Sequence, residues 1–131
     1  MIKSLLICDS NGHDFYSRIL DKETNKYNST LLSGFISAIG TLGRTMFNEE
    51  IATISFGYKE LSPSIVVVSK DFFGTDKKIF FVFITQGELD LKMVRELCTN
   101  IYINNKGYLK QSAMKKSVRD KIDLIVDKYL L

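Results

Sequence analysis

The stretch LLICDSNGHDFYSRIL, residues 5–20, contains two largely apolar segments separated by a short polar one. Three consecutive apolar residues begin at Leu5, which is typical of a strand covered on both faces of a sheet. The polar segment 9–12, Asp-Ser-Asn-Gly, is rich in turn formers, and its Asn-Gly pair favours a hairpin. The sequence therefore predicts two antiparallel strands, Ile2–Cys8 and His13–Leu20, joined by a tight turn.

This hairpin also contains the single histidine of the chain and one of its two cysteines. Cys8 and His13 would lie near each other across the turn, as the members of a cysteine–histidine catalytic pair do. A catalytic cysteine needs a stabilised thiolate and an oxyanion site, and the surrounding sequence supplies neither. We interpret the cluster as a turn, and we predict no catalytic residues and no enzymatic activity.

The rest of the chain predicts a helix, three strands and two further helices. Polar residues 21–28 indicate a loop, after which Ser29 or Thr30 can cap the first helix. The sequence TQGE at 85–88 has the spacing of a capping box for the second helix, and NNKG at 104–107 should end it with Gly107 left-handed. The remaining predicted elements are the helices Ser29–Phe47 and Ala113–Tyr129 and the strands Glu50–Gly57, Ser64–Ser69 and Lys78–Thr85.

Length and composition are those of one globular domain, residues 1–131. The 45% hydrophobic and 25% charged fractions are ordinary for a soluble protein, and no apolar stretch approaches the ~20 residues of a membrane span. The N-terminal residues read as a strand and not as a signal peptide. Two cysteines far apart in sequence indicate reduced thiols, so we expect a cytoplasmic protein.

The element order, ββαβββαα, together with the initial hairpin, resembles a longin domain, a group related to the roadblock domains with their permuted profilin-like architecture. The resemblance covers residues 2–131, and its motifs are the Asp-x-x-Gly turn 9–12 and the strand Tyr16-Ser17-Arg18. It implies a five-stranded antiparallel sheet in the order 2-1-5-4-3, with the first helix on one face and the last two on the other. The apolar character of the first and fifth strands independently favours central positions, and the more mixed second and third strands favour edges.

Longin and roadblock proteins are mostly non-enzymatic adaptors in vesicle-trafficking complexes and in small-GTPase regulators, and some are small archaeal proteins. The resemblance therefore implies a scaffold or regulator of a small Ras-like GTPase or of a trafficking-type complex. It also implies action as a homodimer, or as a heterodimer with a related chain. The sequence shows no coiled-coil SNARE segment and no membrane anchor, so we do not expect the membrane-fusion branch. Arg18 and Arg44 read as surface or capping residues and not as arginine fingers.

We expect no metal site, no cofactor and no nucleic-acid partner. One histidine and two distant cysteines do not match the ligand set of a zinc site. The glycines of GFISAIGTLG, residues 34–43, lie inside a helical pattern and match no phosphate-binding loop. A net charge of +3 is small, and basic and aromatic residues alternate only around residues 106–108.

The predicted helix Ser29–Phe47 has one charged residue, Arg44. Apolar residues lie along one face at helical spacing, and the opposite face carries small ones. Small residues permit close approach of another element, which is either a loop of the same chain or a protein partner. In the longin and roadblock group the equivalent helix and the adjacent edge strand commonly form the dimer contact. The predicted apolar face comprises Leu32, Phe35, Ile36, Ile39, Leu42 and Met46. The predicted partner interface comprises Ser33, Gly34, Ser37, Gly40, Thr41, Arg44, Ile51, Thr53 and Ser55.

Residues 104–121 carry six basic side chains against one Asp. Such a segment is either the solvated face of a terminal helix or a contact for anionic lipid or an acidic partner. The second reading predicts an alternative function, a peripheral membrane-surface adaptor. Its candidate basic patch comprises Lys110, Lys115, Lys116, Arg119 and Lys121.

Overall fold

The computed structural model describes residues 1–23, 27–111 and 114–131. The observed element order, ββαβββαα, is the predicted one. The predicted first residue of the last helix, Ala113, lies outside the described residues, as do residues 24–26 of the predicted loop. The strands are β1 (Ile2–Asp9), β2 (Asp14–Ile19), β3 (Thr53–Ser55), β4 (Pro63–Asp71) and β5 (Lys78–Gln86), and the helices are α1 (Ser29–Phe47), α2 (Leu91–Lys110) and α3 (Lys116–Leu130).

The chain divides into two compact units. The sheet unit, Met1–Leu89, contains the five strands and α1, and the helical unit, Asp90–Leu131, contains α2 and α3. A single domain spanning residues 1–131 therefore stays a prediction. Among the described residues, every helix falls short of the length and apolar content that a membrane span requires.

The five strands form one sheet in the order β2-β1-β5-β4-β3, with every neighbouring pair antiparallel. This confirms the predicted strand order. β1 and β5 lie in the centre because their apolar residues point to both faces. Leu6 and Val82 belong to one face, whereas Leu5 and Phe83, which are paired across the two strands, belong to the other, and all four are fully buried. The mixed strands β2 and β3 form the edges, as predicted.

Helix α1 packs on one face of this sheet. Its Ile36 has no exposed surface and lies in a cluster of apolar residues from the central strands. Each fully buried side chain of this size contributes about 1.5–3 kcal/mol to the free energy of unfolding. The cluster comprises Leu6, Cys8, Ile36, Ile65, Val67, Phe80 and Val82, and the partly buried Leu32, Ile51 and Ile54 pack against it.

The cap of α1 differs from the predicted one. Asn28 is the capping residue, because its Oδ1 accepts a hydrogen bond from the backbone N–H of Leu31 at 3.0 Å. The hydroxyls of Ser29 and Thr30 donate instead to the Asp14 carboxylate, at 2.6 and 3.3 Å. The prediction of Ser29 or Thr30 as the cap was therefore wrong, because the helix already includes Ser29 and the residue before it accepts the N–H.

Strand β3 is three residues long, not eight as predicted for Glu50–Gly57. Ile51 and Ile54 both pack against the core cluster on the α1 side. Residues three apart in a regular strand point to opposite faces, so a continuous strand could not bury both. At the other end, Gly57 adopts a φ of +80°, which a regular strand excludes.

The ends of α2 also differ from the prediction. Gln86 still pairs with β4 and Gly87 has a φ of +77°, so the segment 85–88 cannot form a capping box. Asp90 caps the helix by accepting the backbone N–H of Met93 at 3.2 Å. The predicted end of the helix at residues 104–107 is a kink, and α2 continues to Lys110. Gly107 does not adopt the predicted left-handed conformation.

The kink of α2 centres on Asn105, whose φ of −129° and ψ of 17° are not helical. Its side-chain Nδ2 donates to the Ile101 carbonyl at 3.0 Å, and the residue is buried. A side-chain donor can satisfy a helix carbonyl where the backbone departs from helical geometry. The polar run that suggested a helix end therefore bends the helix without ending it.

The β1–β2 turn is built around the side chain of Asp9, which is 1% exposed. Its Oδ1 accepts the backbone N–H groups of Asn11 and His13 at 2.9 and 3.0 Å, and its Oδ2 lies 3.2 Å from His13 Nδ1. Gly12 completes the turn with a φ of +84°. The histidine is therefore paired with Asp9, and the segment acts as a turn, as interpreted from the sequence.

Cys8 has no exposed surface, and burial raises the pKa of its thiol to about 12, although a hydrogen bond with Ser33 opposes the shift. A thiol with this pKa is protonated at neutral pH and is no nucleophile. Because 12 exceeds the ordinary value of 9.0, the folded state keeps a proton that the unfolded state releases between these values. The stabilisation from the neutral Cys8 thiol is therefore complete below about pH 9 and decreases as pH rises further.

We predict that Cys8 reacts with a thiol reagent only when the structure opens. In a Cys98→Ala variant at mildly alkaline pH, labelling by DTNB should be at least about a hundredfold slower than in denaturant, because the thiol is buried and protonated. The absorbance of the released thiolate gives both rates. Native labelling as fast as that of the denatured chain would contradict the burial of Cys8.

Candidate functional site

The side of α1 that faces away from the sheet carries large apolar residues. We call Leu31, Phe35, Ala38, Leu42 and Met46 the α1 stripe. They recur every three or four residues and lie opposite the buried Ile36, as 3.6 residues per turn requires. Leu31 is 73% exposed, Leu42 49% and Met46 63%, and Phe35 and Ala38 are also exposed. A continuous apolar face of the helix is therefore on the surface of the sheet unit.

The predicted orientation of α1 about its axis was wrong, because residues predicted to face outward are buried and residues predicted to face the core are exposed. Ser33 and Gly40, which were predicted to face a partner, are buried against the chain itself. The Ser33 hydroxyl donates to the Ser29 carbonyl at 2.7 Å. A Cβ on Gly40 would lie 3.6 Å from the Phe80 ring and 3.8 Å from the Ile51 side chain. The helix approaches the sheet closely at Ser33 and Gly40, and the large apolar residues of the α1 stripe are directed outward.

Two other residues of the predicted interface contact the β1–β2 turn. The Ser37 hydroxyl donates to the Ser10 carbonyl at 2.6 Å. A Cβ on Gly12 would lie 3.4 Å from the Gly34 Cα, so the turn and the helix backbone are in close contact. Gly34 and Thr41 are nevertheless exposed, and they lie beside the α1 stripe.

Arg44, the single charged residue of α1, is held by neighbours. Its Nη1 lies 3.3 Å from Glu50 Oε2, and its Nη2 donates to the Thr41 hydroxyl at 3.3 Å. Lys78 Nζ lies 3.2 Å from the other Glu50 oxygen. The guanidinium is thus part of a small charged network next to α1, and the α1 stripe itself carries no charge.

The edge strand β3 presents backbone groups outward. The Ala52 carbonyl accepts from Val67 N–H at 2.8 Å, and Phe56 N–H donates to the Pro63 carbonyl at 3.0 Å, so even-numbered residues face β4. By alternation, the N–H and C=O groups of Thr53 and Ser55 face away from the sheet, and their side chains are exposed. The third predicted edge residue, Ile51, packs against the core instead.

The α1 stripe and the β3 edge belong to the same unit and are joined by a short segment of chain. Gly40 lies next to Ile51, two residues before β3, and Gly43 lies next to Glu49, where a Cβ would be 3.1 Å from the carbonyl oxygen. The chain between α1 and β3 therefore follows the helix closely. We call the α1 stripe together with Thr53 and Ser55 the α1–β3 surface.

The five residues of the predicted basic patch are all exposed, at the end of α2 and at the beginning of α3. A neighbouring cation, Lys106, lies with its Nζ 5.5 Å from the centre of the Tyr102 ring. Among the described residues, no three His, Cys, Asp or Glu side chains come together as metal ligands would.

Sequence reasoning missed the outward position of Phe35, Leu42 and Met46, which it assigned to the core. The sequence did contain an indication of this second apolar face, because α1 is apolar on most of its circumference and only Arg44 is charged. A helix of this kind is typically buried on both sides. The sheet covers one side of α1, and the other side is the α1 stripe.

Comparison with known proteins supports the fold. No family model matches the sequence, and no curated protein matches it. Among solved structures, the chain is similar to a roadblock/LC7 domain from Streptomyces avermitilis, with a TM-score of 0.53, 13% identity, and 83% of this chain and 86% of that chain covered. It also matches Myxococcus xanthus MglB, with a TM-score of 0.45, 18% identity and 72% of each chain covered. A third match is the gliding protein MglB of Thermus thermophilus, with a TM-score of 0.43, 11% identity, and 63% of this chain and 61% of that chain covered. The five-stranded sheet with three helices is therefore the roadblock and longin-like α+β fold.

Proposed function

We propose that this chain is a non-enzymatic protein-interaction module that scaffolds or regulates a small Ras-like GTPase. We further propose that it acts as a dimer formed through the α1–β3 surface. The observations that carry the proposal are the exposed, uncharged α1 stripe and the open β3 edge, both in the sheet unit. Contiguous apolar patches on otherwise polar domains are characteristic of protein contact sites, because their burial is favourable without the desolvation of charges.

The α1 stripe is self-complementary. Its residues are spaced nearly symmetrically around Ala38, so two antiparallel copies would place Leu31 against the partner's Met46 and Phe35 against the partner's Leu42. The small side chain of Ala38 at the centre permits a close crossing of the two helices. A two-fold interface requires one patch to fit itself in this way. These features favour a second copy, or a closely related chain, as the occupant.

The β3 edge fits the same arrangement. Thr53 and Ser55 lie symmetrically on either side of Ile54, and their outward backbone groups can pair with an antiparallel β3 of the partner. A three-residue strand offers few hydrogen bonds, so the edge would set the register while the α1 stripe supplies most of the buried apolar area. Each element could therefore pair with its own copy in a two-fold arrangement.

The GTPase part of the proposal is supported by the resemblance of the sequence to the longin and roadblock group and by the roadblock/LC7 fold. The chain would act as a platform and would not supply catalytic groups. Arg44 is tied to Glu50, and Arg18 lies on β2, partly buried. Cys8 is buried and protonated. The same module could scaffold a trafficking-type complex that contains such a GTPase.

A second candidate, from a different class, is a peripheral membrane-surface adaptor. The observation that favours it is the exposure of all five residues of the basic patch. Juxtaposed lysines and arginines attract anionic lipid, and this attraction weakens as ionic strength rises. Sedimentation with anionic liposomes that decreases steeply with salt would support this candidate, and the GTPase proposal does not predict it.

We predict that Leu42→Lys converts the dimer to a monomer. The substituted ammonium would be buried in an apolar contact without a partner, at a cost of several kcal/mol, and the dimer dissociation constant should rise by roughly a hundredfold or more. Light scattering coupled to size exclusion, over a series of concentrations, measures the change. Circular dichroism should show an unchanged fold, since Leu42 is exposed in the single chain.

The matched control is Leu124→Lys, which adds the same charge at an exposed helical leucine of α3. It should leave the dimer intact. Gly40→Lys is unsuitable as a test, because Gly40 is buried against Phe80 and the variant should unfold. A wild-type chain that stays monomeric at high micromolar concentration, or a Leu124→Lys variant that dissociates equally, would contradict the proposed interface.

We also predict capture of a Ras-like GTPase in one nucleotide state. The immobilised chain should retain such a protein from a lysate of the source organism in the presence of either GDP or a non-hydrolysable GTP analogue, but not equally in both, because switch segments differ between the states. Mass spectrometry identifies the retained protein. Repeated absence of any Ras-like protein would leave the module without its proposed partner, whatever its oligomeric state.

A further inference from the structure

The helical unit contains a groove that the proposed function does not use. Its volume is about 430 Å³, and it lies between the first half of α2 and the end of α3. This size is within the range of about 300–1,000 Å³ typical of small-ligand clefts. The lining residues are Lys92, Arg95, Glu96, Thr99, Asn100 and Tyr129.

Two cations stand at this groove without a counter-ion. Lys92 and Arg95 are exposed, and neither forms an ion pair with any residue in the parts of the chain that the structure describes. A third cation is close, since Lys128 Nζ lies 5.7 Å from the centre of the Tyr129 ring. Glu96 is the one acidic residue of the lining. The groove therefore has an excess of positive charge.

The floor of the groove offers a hydrogen-bond donor. The Asn100 Nδ2 donates to the Glu96 carbonyl at 3.1 Å and to the Tyr129 hydroxyl oxygen. Because the Tyr129 oxygen acts as an acceptor in this contact, its own proton remains available to a ligand. Tyr129 is only half-buried, so a bound group can reach it.

We propose that this groove binds a short acidic segment of a protein partner, with a side-chain carboxylate held by Lys92, Arg95 and the Tyr129 hydroxyl. Charge-assisted hydrogen bonds from a guanidinium, an ammonium and a phenol to one carboxylate are strong and geometrically selective. All of these residues belong to the helical unit, whereas the α1–β3 surface belongs to the sheet unit. The inference therefore goes beyond the proposed function and does not depend on it.

A carboxylate fits this groove better than a phosphate group. Asp90 already occupies the N-terminal amides of α2, where it accepts the Met93 N–H at 3.2 Å. In a peptide, a backbone N–H next to the acidic side chain can in turn donate to Glu96.

The test uses the whole chain and a fluorescein-labelled peptide of alternating glycine, glutamate and aspartate, with its glutamine and asparagine counterpart as the neutral probe. Fluorescence anisotropy at low ionic strength should show binding of the acidic peptide only. The double variant Lys92→Gln with Arg95→Gln should weaken that affinity by roughly tenfold or more, and Tyr129→Phe by roughly threefold to tenfold. Thermal melts establish that the variants fold.

The matched control is Lys115→Gln with Lys116→Gln, which removes the same charge from the opposite end of the helix pair. It should leave the affinity within about twofold of wild type. Equal loss in this control, an unchanged affinity in Tyr129→Phe, or equal binding of the neutral peptide would overturn the proposal. Tighter competition by inorganic phosphate than by free glutamate would overturn it as well, since it would assign the groove to a phosphate ligand.

Discussion

The close packing of α1 on the sheet is the constraint on which the other features of the sheet unit depend. The Phe80 ring lies beneath the middle of the helix, where a Cβ at position 40 would already be in van der Waals contact with it at 3.6 Å. Ser33, about two turns earlier, is buried in the same way and hydrogen bonds to Cys8. The residues that α1 directs inward are the buried Ser33, Ile36 and Gly40 and the partly buried Leu32. The large apolar residues of the α1 stripe lie on the outside.

This geometry links the interior of the unit to its surface. The residues that make α1 fit the sheet and the residues that make it attractive to a partner are on opposite sides of one helix. The same packing fixes the chain that leads to β3, where Ile51 and Ile54 are drawn toward the core and only Thr53, Ile54 and Ser55 remain as a strand. A short edge strand limits uncontrolled pairing and still permits a register-specific contact.

Much of the fold was predictable from the sequence because the sheet obeys a simple rule. Strands covered on both faces are apolar at consecutive positions, and β1 and β5 show this clearly. The orientation of α1 was not predictable in the same way, because Leu32, Ile36 and Ile39 and the set Phe35, Leu42 and Met46 form overlapping apolar faces. Periodicity cannot choose between them, because the choice depends on packing against sheet residues such as Phe80 that are distant in sequence. The cap at Asn28 was missed because Asn, Ser and Thr are all common capping residues, and three of them are consecutive at positions 28–30.

The two surfaces of this chain rest on different physics, and this difference has a consequence for regulation. The α1 stripe carries no charge, so its burial is driven by the removal of apolar area from water and is insensitive to screening. The proposed ligand binding in the groove of the helical unit depends on Lys92 and Arg95. Both are exposed, so salt screens their attraction to a ligand, with a Debye length of about 8 Å at physiological ionic strength. Apolar contacts of this kind suit a permanent assembly, whereas exposed charge pairs suit an exchangeable one. With the two proposed partners, the chain would keep one constantly on its sheet unit and would exchange the other, an acidic segment, on its helical unit.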